Sequence, residues 1–244
     1  MKSSILVIAH NEEKYIGLCL DSICAQSTKP DEIVVVAHNC NDSTEAIIQR
    51  YSNVRLVSFK GNDGVTYARI KGFQEVNGDI VACIDGDAHA EYQWFEKIIS
   101  PLSDPSISGV GTVVMYTGSI ISRLASYKYF YFKFFLNWLL KKYNKFYFFG
   151  PSFAVRKKDY EDIGGFEPFP ELRKKIGLIN WPDDAYLGIS LWNKGRVVLV
   201  KDKHTKVFAR AKNLGLYGIF VRPFEQILDG KKIFDYLRIK KVLP

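Results

Sequence analysis

The sequence predicts an α/β fold in which a mostly parallel sheet is flanked by helices. Short apolar runs rich in β-branched residues are typical of buried strands, and they occur at residues 5–9, 33–37, 54–59 and 80–84. Apolar residues at helical spacing follow these runs, at residues 14–25, 43–51, 65–76 and 92–102. Strands that alternate with helices form right-handed βαβ units, and helices then cover both faces of the resulting sheet.

The composition indicates one folded domain. The chain has 244 residues, 47% of them hydrophobic, which is enough for a sizeable core. Its net charge of +8 indicates an anionic partner such as a phosphorylated substrate or a membrane surface. Nucleic acid is not expected, because neither a recognition-helix motif nor an aromatic strand platform is evident.

Cysteine usage and the N-terminus favour the cytoplasm. Cys19, Cys24, Cys40 and Cys83 lie in or beside apolar runs without metal-ligand spacing, so we expect buried free thiols. The first apolar run has five residues and is too short for a signal peptide. We therefore expect a cytoplasmic protein, with peripheral contact to the inner membrane face as an open alternative.

Polar residues directly follow three of the predicted strands, at 10–12, 38–42 and 85–87. Ligands of parallel α/β sheets bind beyond the carboxyl ends of the strands, so these residues should converge on one crevice. At the third strand end Asp85 and Asp87 flank Gly86. Carboxylate oxygens suit Mg²⁺ or Mn²⁺, which substrate phosphates usually complete. A turn whose aspartates cap the next helix is the alternative.

Two later segments carry further polar groups. Residues 62–72 form a turn into a helix with Arg69 and Lys71, and a helix start with cations suits phosphate. Residues 181–191 place Asp183 and Asp184 side by side after a proline. One carboxylate can cap the helix, and the other is then available as a general base.

The second half of the chain contains two basic, apolar segments after a predicted strand at 110–116. Residues 126–149 are dense in aromatics, with Lys133, Asn137, Lys141 and Lys145 on one helical stripe. This segment is too short to span a bilayer, and either packs on the sheet or lies in a membrane interface. Residues 224–243 are also apolar on one side and basic on the other, and could meet lipid, a partner or water.

These motifs in this order resemble family-two glycosyltransferases of the GT-A fold. The signs are AHNEE at 9–13, VVAHNCNDST at 35–44, NDGVTYAR at 62–69 with Gly72, DGD at 85–87, FFGPSFAVR at 148–156 before GGF at 164–166, and PDDAYLGISL at 182–191. The resemblance covers roughly the first 200 residues. It implies a Rossmann-like sheet in a single domain, with a nucleotide-sugar half at 1–115, an acceptor-side half at 116–210 and a basic tail at 211–244.

The resemblance also implies roles. The nucleotide sugar would be bound by Ala9, Asn11, Glu12, His38, Asn39, Asp42, Arg69, Asp85 and Gly86. Asp87 and Asp85 would hold Mg²⁺ or Mn²⁺, and His204 would add a metal or diphosphate contact unless it is a solvated strand-end histidine. Gly150 and Asp183 would lie on the acceptor side, and Asp184 would be the catalytic base.

The implied reaction is inverting transfer of a sugar from a UDP-, GDP- or dTDP-sugar to a hydroxyl or phosphate acceptor, which could be a glycan or lipid-linked. The sequence departs from the family pattern at His38, where an acidic residue is common, and at Ile70, where Asn is common. A processive synthase is not expected, because the Gln-x-x-Arg-Trp motif is absent.

Two other classes of function are a nucleotidyltransferase and a catalytically inactive binding module. A nucleotidyltransferase should carry a Gly-rich loop with Arg and Lys after the first strand, which residues 9–13 lack. Only an activity measurement can distinguish an enzyme from a catalytically inactive module that binds sugar nucleotides or a membrane surface.

Overall fold

The computed structural model describes residues 1–117, 150–180, 182–210 and a helix at 222–239. The aromatic segment predicted at 126–149 lies outside the described residues. The strands are β1 (Ser3–Ala9), β2 (Glu32–His38), β3 (Arg55–Phe59), β4 (Ile80–Asp85), β5 (Ala88–Ala90), β6 (Ile107–Thr112), β7 (Val114–Thr117), β8 (Ser152–Arg156), β9 (Arg196–Val200) and β10 (Val207–Arg210). The helices are α1 (Ile16–Cys24), α2 (Thr44–Ile48), α3 (Val65–Glu75), α4 (Trp94–Ile99), α5 (Lys157–Asp162), α6 (Phe169–Ile176), α7 (Asp183–Leu191) and α8 (Arg222–Ile239).

Within the described residues the main sheet has seven strands in the order β3-β2-β1-β4-β8-β6-β9. All neighbours pair in parallel except β8, which is antiparallel to both β4 and β6. In the sheet, β2 and β3 lie on one side of β1, and β4 lies on the other side. The predicted α/β class with a mostly parallel sheet is confirmed, and the order reverses between β1 and β4, where ligands of such sheets bind.

Helices cover both faces of the sheet, which explains why its central strands are apolar throughout. Ile5 and Val7 of β1 pack with α1 and α4 on one face. Leu6 and Ile8 of the same strand pack with α3, α5 and α7 on the other. Every residue of β1 is therefore buried, and alternation of polar and apolar residues disappears.

Two predicted elements are wrong in extent. The strand expected at 110–116 divides into β6 and β7, which belong to different sheets, because β7 joins β10 and β5 in a separate three-stranded sheet. The helix expected at 92–102 ends at Ile99 and continues as a 3-10 turn, Ser100–Ser103. Pro101 lies in that turn and has no N–H to donate to a continuing helix.

The C-terminal segment predicted as basic and amphipathic forms helix α8. Its Ile233 and Leu237 are buried against residues of α6 and α7 that include Phe169 and Tyr186. The apolar side of this helix therefore packs on the protein within the described residues. No helix of that part of the chain is both long and apolar enough to cross a membrane. The division at residues 115 and 210 stays a prediction.

The cysteine prediction holds for three of the four thiols. All four are free, and Cys19, Cys40 and Cys83 are buried. Cys24 is half-buried, with its Sγ beside Asn53 at 3.4 Å from Nδ2, so the expectation that it is buried is wrong. Cys24 is the last residue of α1, where the helix surface turns toward solvent.

Candidate functional site

Hydrogen bonds join the ends of β1 and β2. His10 Nδ1 lies 2.7 Å from the His38 carbonyl oxygen, and the Asn41 N–H donates to Asn11 Oδ1 at 2.8 Å. Asn11 adopts a left-handed backbone with φ 54°, which asparagine tolerates better than most residues. The two strand ends predicted to meet therefore do so, immediately beyond Ala9.

Glu12 and Asp42 lie in the same pair of loops. The Glu12 N–H donates to Thr44 Oγ1 at 2.7 Å, and the Glu13 N–H donates to Asp42 Oδ2 at 3.0 Å. Asp42 Oδ1 also accepts from the Thr44 N–H at 3.0 Å. The Asp42 carboxylate thus holds the two loops together through backbone donors, and Thr44 is a supporting residue that the sequence analysis did not single out.

His38 and Asn39 are placed at the edge of this region. His38 is buried and stacks on Phe59 with ring centroids 5.2 Å apart. Burial lowers the pKa of His38, which favours the neutral imidazole. The Asn39 amide nitrogen donates to Gly61 and to Asp63, each at 3.0 Å, so this side chain holds the loop before α3.

Asp85, Gly86 and Asp87 lie at the end of β4, beside the end of β1. The Gly86 N–H donates to the Ile8 carbonyl at 2.8 Å. Burial raises the pKa of Asp85 to about 6, Arg69 opposes this shift, and the charge of Asp87 adds to it. Burial is also the largest cause of the raised pKa of the Cys19 thiol on α1, and the charges of Asp87 and Asp85 add to that shift. Burial and neighbouring carboxylates therefore both disfavour additional negative charge at this strand end.

This donor set fits a divalent cation. Two carboxylates from residues i and i+2 are the protein share that Mg²⁺ commonly uses, with phosphates and waters completing the shell. His204 is exposed in a 3-10 turn, and its N–H donates to Asp202 at 2.8 Å. The described residues contain no group of three or more His, Cys, Asp or Glu side chains that could hold a metal, so the structure does not bring His204 into such a group with the aspartates.

Arg69 connects Asp85 at the end of β4 to Asp183, the first of the two adjacent aspartates in α7. The guanidinium donates to Asp183 Oδ1 at 2.7 Å and to Asp85 Oδ1 at 3.2 Å. Its carbon also lies 5.7 Å from the Phe153 ring centroid. Burial alone would lower the pKa of Arg69, but the carboxylates, Asp183 foremost, raise it. Arg69 is thus fully charged, buried and turned inward between two anions.

The two adjacent aspartates have different surroundings. Asp183 is 1% exposed, and its Oδ2 accepts from Thr66 Oγ1 at 3.0 Å. Asp184 is half-buried, and its carboxylate accepts the N–H groups of Gly150 and Ala185. Gly150, expected on the acceptor side, therefore contacts Asp184. Thr66 was not singled out from the sequence, although it lies inside the 62–69 motif.

The arrangement can perform acid–base chemistry beside a bound anion. A carboxylate at the start of helix α7 is oriented by backbone donors and remains accessible. The carboxylates of Asp85 and Asp87 lie on the other side of the ion pairs of Arg69. The chemistry of these groups would suit a cation at one carboxylate pair and a proton acceptor at the other.

Comparisons with curated proteins give partial matches. The chain is 31% identical over 121 residues to glucosyl-dolichyl phosphate glucuronosyltransferase of Haloferax volcanii, covering 47% of this chain and 39% of that protein. It is 27% identical over 194 residues to glycosyltransferase AglE of the same organism, covering 75% of this chain and 60% of that protein. The chain thus spans less than two thirds of the length of these relatives.

Solved structures share the fold. Glucosyl-3-phosphoglycerate synthase from Mycobacterium tuberculosis, in complex with Mn²⁺, UDP-glucose and phosphoglyceric acid, has a TM-score of 0.62 at 17% identity, covering 96% of this chain and 80% of that one. A mannosyltransferase from Pyrobaculum calidifontis, in complex with GDP-Man and Mn²⁺, has a TM-score of 0.63 at 18% identity, covering 96% and 69%. Both confirm the GT-A architecture expected from the motifs.

The family match spans the strands and loops that build the crevice. Residues 4–164 match the family model Glycosyl transferase family 2, which is more than half of the chain. This range contains the ends of β1, β2 and β4, Arg69 and β8. The chain therefore belongs to glycosyl transferase family 2.

Proposed function

We propose that this protein transfers a sugar from a nucleoside-diphosphate sugar to a hydroxyl or phosphate acceptor, with inversion at the anomeric carbon. The observation that carries the proposal is the Arg69 bridge. It joins Asp85, beside the metal-binding Asp87, to Asp183, the neighbour of Asp184. One rigid ionic connection thus fixes the donor carboxylates relative to the proton acceptor.

The donor side would be formed by the ends of β1, β2 and β4. Asp87 and Asp85 would hold Mg²⁺ or Mn²⁺, which when bound neutralises charge on the diphosphate. Mn²⁺ with UDP-glucose or GDP-Man in the two solved relatives supports this donor class. Asn11 and Glu12 occupy the loop beside the metal carboxylates, where the nucleoside would lie.

Asp184 would act as the general base. Its carboxylate takes the proton of the acceptor hydroxyl, the acceptor oxygen bonds to the anomeric carbon, and the bond from that carbon to the diphosphate oxygen breaks. The electron pair leaves with the diphosphate, so one displacement inverts the carbon. The backbone N–H groups of Gly150 and Ala185 orient the carboxylate for this transfer. Asp183 is unsuited to the role, because Arg69 and Thr66 occupy its oxygens.

We further propose that the acceptor is presented at an anionic lipid surface. Ile179 and Leu228 are 53% and 54% exposed. Asp229, the neighbour of Leu228 in α8, links this helix to the loop that carries Ile179. Its buried carboxylate accepts the N–H groups of Ile179 at 3.1 Å and Asn180 at 2.9 Å. The loop that carries Ile179 leads directly into α7, which begins at Asp183.

Lysines lie on the helices next to the loop that carries Ile179. Lys232 donates to the Gly177 carbonyl at 2.7 Å, and Lys175 lies 5.6 Å from the Tyr236 ring centroid. Lys231 is also exposed. Exposed aliphatic residues among lysines suit anionic headgroups. The dolichyl phosphate in the name of one relative is consistent with a lipid-linked acceptor.

Calorimetric titration of UDP, GDP, CDP and dTDP, with Mn²⁺ and then with the metal chelated, tests the donor assignment. Metal-dependent binding of one diphosphate is expected, and turnover of the matching nucleotide sugar should follow. Binding of none of the four diphosphates would contradict the proposed function.

Co-sedimentation at low salt tests the lipid surface. Vesicles containing an anionic lipid should bind the protein more than vesicles of zwitterionic lipid alone. The double substitution Lys231→Glu and Lys232→Glu should abolish the difference, whereas Lys157→Glu, on the far helix α5, should preserve it. Equal binding to both kinds of vesicle would overturn the lipid proposal and leave the donor chemistry standing.

A further inference from the structure

Arg210, the last residue of β10, follows a strand pair that ends next to the turn holding Asp87. β10 runs antiparallel to β5, with Val207 opposite Ala90 and Ala209 opposite Ala88. Arg210 is the next residue after Ala209, and Asp87 is the residue before Ala88, so the last pair brings the two backbone positions close together. No feature of the sequence indicated this, because the two residues are far apart in the chain and both flanking strands are short.

A ring contact places the guanidinium on the same side of the crevice. The carbon of the Arg210 guanidinium lies 4.9 Å from the centroid of the Tyr15 ring. Tyr15 directly precedes α1, and its N–H donates to the Glu12 carbonyl at 2.9 Å. The strand register and the ring contact are independent observations, and together they place Arg210 near the start of α1 and near the turn that follows β4.

The charge of Arg210 differs from that of Arg69 in being accessible. Arg210 is exposed, and among the described residues no carboxylate forms an ion pair with it. Arg69 is buried, and both of its terminal nitrogens are occupied by Asp183 and Asp85. Arg69 therefore offers few donors to a bound molecule, whereas the exposed guanidinium of Arg210 is accessible to one.

The chemistry of the donor supplies a matching anion. A diphosphate enters a crevice that already holds Glu12, Asp85 and Asp87, and it gains negative charge as the bond to the sugar breaks. A guanidinium binds two phosphate oxygens at once, and its planar face stacks on an aromatic ring without losing those donors. The Tyr15 ring would hold the guanidinium at the crevice edge in a defined orientation.

We propose that Arg210, held on the Tyr15 ring, binds the diphosphate of the nucleotide-sugar donor opposite Asp87. This inference rests on the proposed function, since it assigns a further binding residue to the same donor. It assigns Tyr15 as the residue that positions Arg210, and it makes β10 part of the donor site although this strand follows the region that matches the family model.

Titration of the diphosphate that the wild-type protein binds, and of the parent nucleoside without phosphates, tests the proposal in the presence of Mn²⁺. Arg210→Ala should weaken diphosphate binding by about tenfold or more, the size expected for charge-assisted hydrogen bonds, with nucleoside binding unchanged. Arg210→Lys should fall between, because lysine keeps the charge and loses the fork. Tyr15→Leu should weaken diphosphate binding less than Arg210→Ala.

Arg196→Ala is the control, because Arg196 is also an exposed arginine at one end of a strand, and it pairs with Asp104. This variant should bind the diphosphate as the wild type does. Unchanged diphosphate affinity in Arg210→Ala, or an equal loss for diphosphate and nucleoside, would overturn the assignment. A wild-type protein that binds no diphosphate would instead overturn the proposed function, so the two failures are distinguishable.

Discussion

Arg69 and Asp183 form a buried ion pair, with Nη1 2.7 Å from Oδ1 and side chains 5% and 2% exposed. This pair makes the two adjacent aspartates different. The oxygens of Asp183 are occupied by structural contacts, whereas the carboxylate of Asp184 remains accessible. The same arginine reaches Asp85, so any change in the pair should be transmitted to the end of β4.

Asp184→Asn should abolish turnover and preserve donor binding. An amide has almost no basicity, and loss of a general base typically lowers the rate by about 10²- to 10⁴-fold. Diphosphate affinity measured by calorimetry should stay within about twofold of wild type. Asp235→Asn, at an exposed aspartate of α8, is the control and should retain full turnover. Normal turnover in Asp184→Asn would exclude Asp184 as the base.

Arg69→Met should destabilise the protein by about 3–5 kcal/mol, because it leaves two carboxylates without their cation in a buried setting. Denaturant unfolding measures this loss. Adding Asp183→Asn to Arg69→Met should recover part of it, since the buried charge is then removed as well. Strictly additive losses in the double variant would show that the two side chains are not energetically coupled.

Asp87→Ala should make diphosphate binding insensitive to metal. In the wild type, chelation of Mn²⁺ is expected to weaken diphosphate binding, because the cation offsets the repulsion between phosphates and the strand-end carboxylates. The variant with and without chelator should give the same affinity by calorimetry. If chelation weakens binding equally in Asp87→Ala and in the wild type, the metal is not held by Asp87.

Ionisation of Glu32 should make the free energy of unfolding depend on pH in the acidic range. Burial raises the pKa of Glu32, but hydrogen bonds from Ser4 and Asn77 and the charge of Arg55 outweigh it, so the folded pKa lies below the ordinary value. Its stabilisation is therefore complete above the unfolded pKa of about 4.3, and is lost as pH falls through the folded value.

Glu32→Gln should accordingly be less stable than wild type at pH 7, and the difference should shrink below about pH 4. Unfolding in urea at several pH values measures it. Glu171→Gln, at an exposed glutamate of α6, should show no such trend. A difference between Glu32→Gln and wild type that stays constant from pH 7 to pH 3 would contradict the assignment.

The amino-acid sequence was sufficient to predict the α/β class and the first half of the sheet. β-branched runs that are apolar at every position predicted β1, β2 and β4, because a sheet covered by helices on both faces needs no polar face. β3, which contains Arg55 and Ser58 and is partly exposed, was predicted from a mixed run. The ordered motifs also predicted the family. Strand ends at one sheet edge must meet, so the meeting of the loops after β1 and β2 followed from the parallel arrangement.

Contacts between residues that are far apart in the chain became evident only from the folded structure. β8 inserts antiparallel between β4 and β6, and its own five residues carry no signal of their partners. Asp183 and Asp184 are chemically identical in sequence, and their roles diverge because Arg69, separated by 114 positions, reaches one of them. Ala209 pairs with Ala88 across two short strands, and this pair brings the backbone at Arg210 close to the turn that holds Asp87. Local sequence sets propensity, whereas a long-range contact depends on which surfaces are buried together, and that is fixed only when the whole chain has packed.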